Sequence, residues 1–239
     1  MTQRDSFLSR VRLAAEQGRP YRVHLKPFPE GTGYLGVAGD PLERVAGDPL
    51  ERFAAEVNAV GGEAFVVADL AAAARQLQTL LAEAGATSAL VWEHELLDRL
   101  GLAGLLHSAG VKVHRHATLA EMPAGERRPT LLACDIGITS CDRAIAETGT
   151  LMMCSRPGQE RLASLLPPYH VAVVERSQIV PDLIDAIDFL APTRGVSKGT
   201  PPLPSNVTLI TGPSKTGDIE LQLTTGVHGP GKWRVIVIQ

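Results

Sequence analysis

From residue 48 onward the apolar positions alternate between a helical and an extended spacing. Asp48 and Pro49 have the form of an N-cap and first helical residue, and Phe53, Val57 and Val60 then fall on one face before Gly61-Gly62. A-F-V-V reads as a strand. The next helix places Leu70, Ala73, Ala74, Leu77, Leu80, Leu81 and Ala84 at helical spacing and stops at Gly85. S-A-L-V-W predicts a strand, residues 93–107 a helix, and V-K-V-H-R-H a further strand. Such alternation predicts an α/β fold, an open, mainly parallel sheet covered by helices. Residues 120–129, polar and broken by Pro and Gly, read as a linker or long loop.

The second half repeats the alternation with more polar loops. T-L-L-A-C-D-I-G-I-T (130–139) reads as a buried strand carrying Asp135 and Thr139, and 140–147 as a short helix begun by Ser140. T-G-T-L-M-M-C predicts a turn and strand, 159–166 a helix ended by Pro167-Pro168, H-V-A-V-V-E a strand, and 181–190 a helix. Residues 191–205 have the composition of a flap. The last segment reads strand, glycine loop, short helix, glycine loop, strand.

Upstream, residues 4–17 fit an amphipathic helix and 18–36 an extended arm, which together make residues 1–36 one region. Residues 37–239 form a single α/β domain in this reading. It opens with an insertion at 37–52, where Val37–Arg44 (VAGDPLER) is repeated without change as Val45–Arg52. An eight-residue unit is far too short for a solenoid repeat. Only the second copy runs into a helical pattern, so the first is assigned to a bulging loop.

Composition narrows the function. A net charge of −3 supplies no basic field for nucleic acid. No run approaches membrane-spanning length, and the N-terminus lacks the apolar core of a signal peptide, which predicts a cytoplasmic protein. Cys134, Cys141 and Cys154 are too few and too widely spaced for an iron–sulfur cluster. His114 and His116 alternate on one predicted strand with no third ligand at a recognisable spacing. No metal and no cofactor is expected.

The loops carry the candidate chemistry. Gly212 and Gly217 have the spacing of a nucleotide-binding loop, but Asp218 stands where such a loop needs Lys. Small residues entering a helix would still present N–H groups to a carboxylate or phosphate, with Ser214, Lys215 and Thr216 adding donors. The same residues would equally suit a simple capped turn. Asp218 and Glu220 cannot share one helix face, and Asp218 lies nearer the helix start. His228 sits between glycines, where packing gives no reason for a histidine.

D-I-G-I-T, A-I-A-E-T-G-T, S-L-L-P-P-Y-H, G-P-S-K-T-G-D-I-E and G-V-H-G-P follow one another from Asp135 to Pro230. Together they resemble the LUD domain of the lactate-utilisation protein C family. The family pattern usually has Arg and Ala where this chain has Lys215 and Gly217, changes that keep charge and small size. The resemblance implies a fold of the NagB/RpiA/CoA-transferase group. It also implies a part in bacterial oxidation of L-lactate to pyruvate, beside an iron–sulfur partner and a cysteine-rich partner. Glu147, before T-G-T, matches the place where related folds hold an active carboxylate.

The candidate catalytic residues are therefore Glu147, Asp218 and His228. The candidate ligand-binding residues are Asp135, Thr139, Thr148, Gly149, Thr150, Gly212, Ser214, Lys215, Thr216 and Gly229, around a small anion. Two other readings stay open: a free-standing CoA-transferase-like enzyme using Glu147 on an acyl-CoA, and a scaffold with a vestigial site. The expectation is that the loops meet in one crevice at the carboxyl ends of the parallel strands.

Overall fold

The computed structural model describes residues 48–190, 204–217 and 223–239, together with Ser9, Arg10 and Leu13. Those three residues are helical. The rest of the predicted 4–17 helix, the 18–36 arm, the first octapeptide copy and most of the predicted flap lie outside the described residues. The chain divides after Arg44, between the two octapeptides, and the unit from Val45 to Gln239 holds the elements below.

Six parallel strands make the central sheet, in the order β1 (Glu63–Val67), β12 (Lys232–Ile238), β7 (Tyr169–Glu175), β4 (Ile136–Thr139), β2 (Ser88–Val91), β3 (Lys112–His114). The middle strands are apolar almost throughout, because helices or the second sheet cover both faces; Val171, Val173, Val235 and Val237 are fully buried. Helices α1 (Pro49–Ala59) and α2 (Leu70–Ala84) start as the sequence predicts. The Asp48 carboxylate accepts from the Leu50 N–H, and that of Asp69 accepts from the Ala72 N–H. Phe53 and Val57 of α1 and Leu77 and Leu80 of α2 are fully enclosed. Gly85 ends α2 at φ +57°, a backbone conformation that favours glycine.

A smaller sheet of four strands, β8 (Ile179–Val180), β5 (Arg143–Ile145), β6 (Thr150–Cys154) and β9 (Val207–Ile210), lies beside the first. A two-stranded hairpin, β10 (Lys215–Gly217) and β11 (Leu223–Thr225), follows β9. Several expectations need correction here. Residues 143–145 are a strand, not a helix: Ala144 and Ile145 are buried between β6 and β8. The Asp142 side chain is committed to the Cys154 N–H and Arg156. The helix expected over 93–107 is two, α3 (Glu95–Arg99) and α4 (Leu102–Ser108), because Gly101 turns to φ +71° between them. The strand through His116 stops at His114. His116 opens α5 (His116–Glu121), and the expected linker is mostly helical through α6 (Ala124–Leu132). The strand read over 130–139 begins only at Ile136.

The glycine loop after β9 enters no helix. Lys215–Gly217 is extended and pairs antiparallel with Leu223–Thr225, so the helix N-terminus invoked for anion binding does not form there. Asp218 and Glu220 lie outside the described residues.

Candidate functional site at the amino ends of the central strands

In a doubly wound sheet the ligand crevice opens at the carboxyl edge where strand order reverses. Here that point lies between β2 and β4, and the chain fills it. The Trp92 indole N–H donates to the Glu160 carbonyl at 2.9 Å, the Glu93 N–H to the Gly158 carbonyl at 2.8 Å, and the Gln159 amide to the Glu93 carbonyl at 3.0 Å. Gly158, at φ +81°, lies so close to Glu93 that a Cβ would come 2.8 Å from its carboxylate. Residues 156–160 therefore cover the switch point itself, and cavities of about 580 and 220 Å³ remain beside them, the first lined by Arg156, Arg161 and Asn206 and the second by Val91, Leu119 and Ala163.

A further open cavity of about 220 Å³ lies at the opposite edge, beside the first residues of β7 and β12. His170 and Trp233 line it from the central sheet. Thr208, Leu209 and Ile210 of β9 supply another wall, and Ser164 and Leu165 of α7 (Leu162–Leu165) a third. Thr211, Gly212, Ser214, His228, Gly229 and Pro230 complete it. Helix α7 can lie against β4 because Gly137 has no side chain; a Cβ there would overlap the Ala163 carbonyl oxygen.

The two glycine loops are stapled together. The Ser214 N–H donates to the Pro230 carbonyl at 2.8 Å, and the Gly226 N–H to the Ser214 carbonyl at 2.9 Å. Gly212, at φ +95°, brings the chain against the Val60 carbonyl. A loop that leads into a parallel strand must sit at that strand's amino end, which is why Gly226–Pro230, leading into β12, gathers here.

The candidate residues separate into groups. Gly212, Ser214, His228 and Gly229 line the cavity, and His228 is exposed at its edge. Thr139 is fully buried, and its hydroxyl lies 2.9 Å from His170 Nε2. Thr148, Thr150 and the cavity residue Thr211 form a file of hydroxyls at 2.7 and 2.6 Å. Gly149, at φ +63°, packs against the backbone of α1 at Glu56 and Val57. Glu147 is exposed on the same turn, its N–H held by the Pro181 carbonyl, and it is not among the cavity-lining residues.

Lys215 and Asp135 are engaged elsewhere. Lys215 Nζ donates to the Val60 carbonyl at 2.6 Å, placing its charge at the C-terminus of α1, where a cation is stabilising. Thr216 sits within β10. Asp135 precedes β4, and one carboxylate oxygen accepts from the N–H and hydroxyl groups of both Thr87 and Ser88. Desolvation pushes its pKa up, but those hydrogen bonds outweigh it and hold the carboxyl below its usual range. Asp135 ties β4 to the start of β2.

His170 and Trp233 are among the cavity residues that the sequence reading did not single out. His170 is fully enclosed, and desolvation lowers its pKa to about 3, so its imidazole is neutral at pH 7. Nδ1 of His170 and Nε1 of Trp233 have no hydrogen-bond partner. The signal for His170 was present: a histidine at the second position of a strand that is apolar from Val171 to Val174, one residue beyond Tyr169, which follows two prolines. The cysteines behave as packing residues, with burial raising the thiols of Cys134 and Cys154 to about 11 and that of Cys141 further. Among the described residues no cluster of three or more His, Cys, Asp or Glu could hold a metal ion.

A family model for the LUD domain matches residues 50–238. The chain belongs to the LUD domain family. This LUD domain is 34% identical over 164 residues to "Lactate utilization protein C" of Halalkalibacterium halodurans, covering 68% of this chain and 67% of that protein. It is 29% identical over 238 residues to "Lactate utilization protein C 1" of Bacillus mycoides, covering 98% and 96%. A crystal structure of a DUF162 family protein from Deinococcus radiodurans shares the fold, with TM-score 0.52 and 24% identity over 80% of this chain and 96% of that one. No helix of the described residues is long and apolar enough to cross a membrane.

Proposed function

We propose that this LUD domain protein takes part in lactate utilisation and binds a small anionic ligand in the cavity between β7, β9 and β12. Its partners in this reading are the iron–sulfur and cysteine-rich proteins of a cytoplasmic lactate-oxidising system. Relatives named for lactate utilisation, one of them matched along nearly the whole chain, support the pathway.

The observation that carries the ligand site is where the cavity walls come from. Ser164, Leu165 and His170 belong to S-L-L-P-P-Y-H, Gly212 and Ser214 to G-P-S-K-T-G, and His228, Gly229 and Pro230 to G-V-H-G-P. Three of the five motifs that carry the family resemblance thus converge on one space, with hydroxyls from Thr208, Thr211 and Ser214 beside it. At about 220 Å³ it suits a ligand smaller than drug-sized molecules, whose pockets begin near 300 Å³. Glu147 stands outside that lining, which favours binding over covalent chemistry at that carboxylate.

Deleting the gene from a host with no second lactate oxidase should abolish growth on lactate and leave growth on glucose intact. Complementation with Gly229→Val, which crowds the cavity against Ser214, should fail where the native gene succeeds. Normal growth of the deletion strain on lactate would refute the pathway assignment. Full complementation by the crowded variant would refute the site.

A further inference from the structure

Beside the segment that covers the switch point, the cavities of about 580 and 220 Å³ adjoin, and His116, Glu160 and Leu162 line both. This is the edge of the sheet, next to β2 and β4, at which open α/β folds hold ligands. The smaller space is aliphatic. Val91 of β2, Leu119 of α5, Leu131 of α6 and Ala163 of α7 supply its walls, and Leu162, at the junction, is 40% exposed. Arg127 also lines it, but its guanidinium is committed to the Met122 and Ala120 carbonyls at 2.9 and 2.7 Å, which braces the end of α5. What remains is room to bury an apolar group.

The larger space supplies charge and donors. Arg156 and Arg161 line it against one acid, Glu160. Arg156 is already paired with Asp142 at 2.6 Å, whereas the Arg161 guanidinium has no partner among the described residues. The Asn206 side-chain oxygen accepts from the Thr208 hydroxyl at 2.6 Å, so the donors left on that side chain are its amide N–H groups, and Ser155 adds a hydroxyl. An arginine without a counter-ion, among neutral donors, suits a carboxylate. Glu160, held by the His116 ring and by the Gly158 N–H at 3.0 Å, lies on the same wall and would oppose the second charge of a phosphate. A monoanion fits better.

Neither half suffices alone. An ion pair at an exposed arginine contributes little, so buried apolar area has to supply most of the affinity. A carboxylate at Arg161, with a chain passing Leu162 to reach Val91, Leu119 and Leu131, uses both spaces at once. We propose that the carboxyl edge holds a second ligand site, for monocarboxylic acids that carry an aliphatic chain of several carbons. The site shares no lining residue with the amino-edge cavity, and it selects by chain length, with no call for an oxygen beside the carboxylate.

The test titrates the full-length protein calorimetrically with acetate, butyrate, hexanoate and octanoate, and with hexan-1-ol. Affinity should rise about fourfold per methylene until the aliphatic space is full. Hexan-1-ol, which keeps the chain and lacks the charge, should bind about fivefold more weakly than hexanoate. Arg161→Gln should bring hexanoate down to the level of the alcohol. Ala120→Trp, which crowds the aliphatic space, should flatten the dependence on chain length. Both positions are exposed, so neither change disturbs the core. Methyl spectra of the labelled native protein provide a readout independent of the variants. Hexanoate should shift the methyl signals of Leu119, Leu131 and Leu162 and leave Leu209, in the amino-edge cavity, unmoved. Affinity indifferent to chain length, native hexanoate binding in Arg161→Gln, or shifts at Leu209 without shifts at Leu119 would each overturn the inference. The amino-edge site is judged separately, by the Gly229→Val complementation.

Discussion

The two ends of the central sheet handle the same problem in opposite ways. At the carboxyl ends of β2 and β4 the segment 156–160 folds into the crevice, and the indole N–H of Trp92 finds the Glu160 carbonyl. At the amino ends of β7 and β12 an equally buried tryptophan, Trp233, keeps its N–H unpartnered beside a cavity. At one edge the backbone of 156–160 fills the switch point and leaves cavities of about 580 and 220 Å³ beside it, while at the other the two glycine loops gather round a cavity of about 220 Å³. Fold class pointed to the carboxyl edge, whereas the two glycine loops meet at the amino edge. Buried polar atoms without a partner occur at both ends, Gln159 Oε1 at the first and His170 Nδ1 and Trp233 Nε1 at the second, and at the second they belong to residues that line the cavity.

Several substitutions can break this contrast. The largest expected effect is at Gly137, where any side chain meets the Ala163 carbonyl and must lift α7 from β4. Gly137→Ala should destabilise the protein by about 3 kcal/mol in chemical denaturation, at the upper end for overpacking, and should open the cavity wall. An unchanged midpoint would show that α7 is not the rigid wall described here.

The next effect belongs to the carboxyl edge. Asp142, with its side chain nearly buried, holds Arg156 at 2.6 Å and the Cys154 N–H at 2.7 Å. Asp142→Ala should cost about 2 kcal/mol of stability while leaving ligand affinity within about twofold. A large loss of affinity would mean that the two edges are coupled.

Acid should act through the amino edge. His170 has a folded pKa well below its usual 6.5, so the unfolded chain binds a proton that the native state refuses. Its contribution to stability is complete above pH 6.5 and is lost as pH falls from there toward 3. Across that window the cost is up to about 1.4 kcal/mol per pH unit. His94 and His114, also lowered by burial, act in the same direction. The slope of stability against pH should be visibly shallower in His170→Asn, and an identical slope would rule out His170 as a source of acid sensitivity.

The smallest effects distinguish the rim from its surroundings. Ser214→Ala should weaken ligand binding by about fivefold, as expected for one hydrogen bond of about 1 kcal/mol. Glu147→Gln, on the exposed turn, should leave titration curves superimposable on the native ones. The reverse ranking would move the site to the T-G-T turn.

How much of this was legible in the chain differs by region. Helices α1 and α2, the Asp48 cap, the Gly85 stop and the apolar strands β7 and β12 follow from local periodicity and capping chemistry. The misread segments share a different property. Residues 140–147 look helical in isolation, and only pairing with β6 and β8 makes 143–145 a strand. Lys215–Gly217 resembles a helix start until Leu223–Thr225 pairs with it. Of the candidate site, Gly212, Ser214, His228 and Gly229 were found from their loops. His170 was passed over because its partner Thr139 and its cavity lie on other elements.

By itself the sequence determined the class of fold, the caps and lengths of the early helices, and the loops rich in glycine and hydroxyl groups. These depend on spacing of a few residues, set by the helical and extended periods and by the few residue types that tolerate positive φ. Only the tertiary structure decided at which edge of the sheet the two glycine loops meet, that Lys215 serves the end of α1, and that Asp135 ties two strands. It also left His170 and Trp233 unsatisfied in one wall. Those outcomes depend on contacts between residues far apart in the chain, where burial strips water from polar groups and makes each remaining partner decisive.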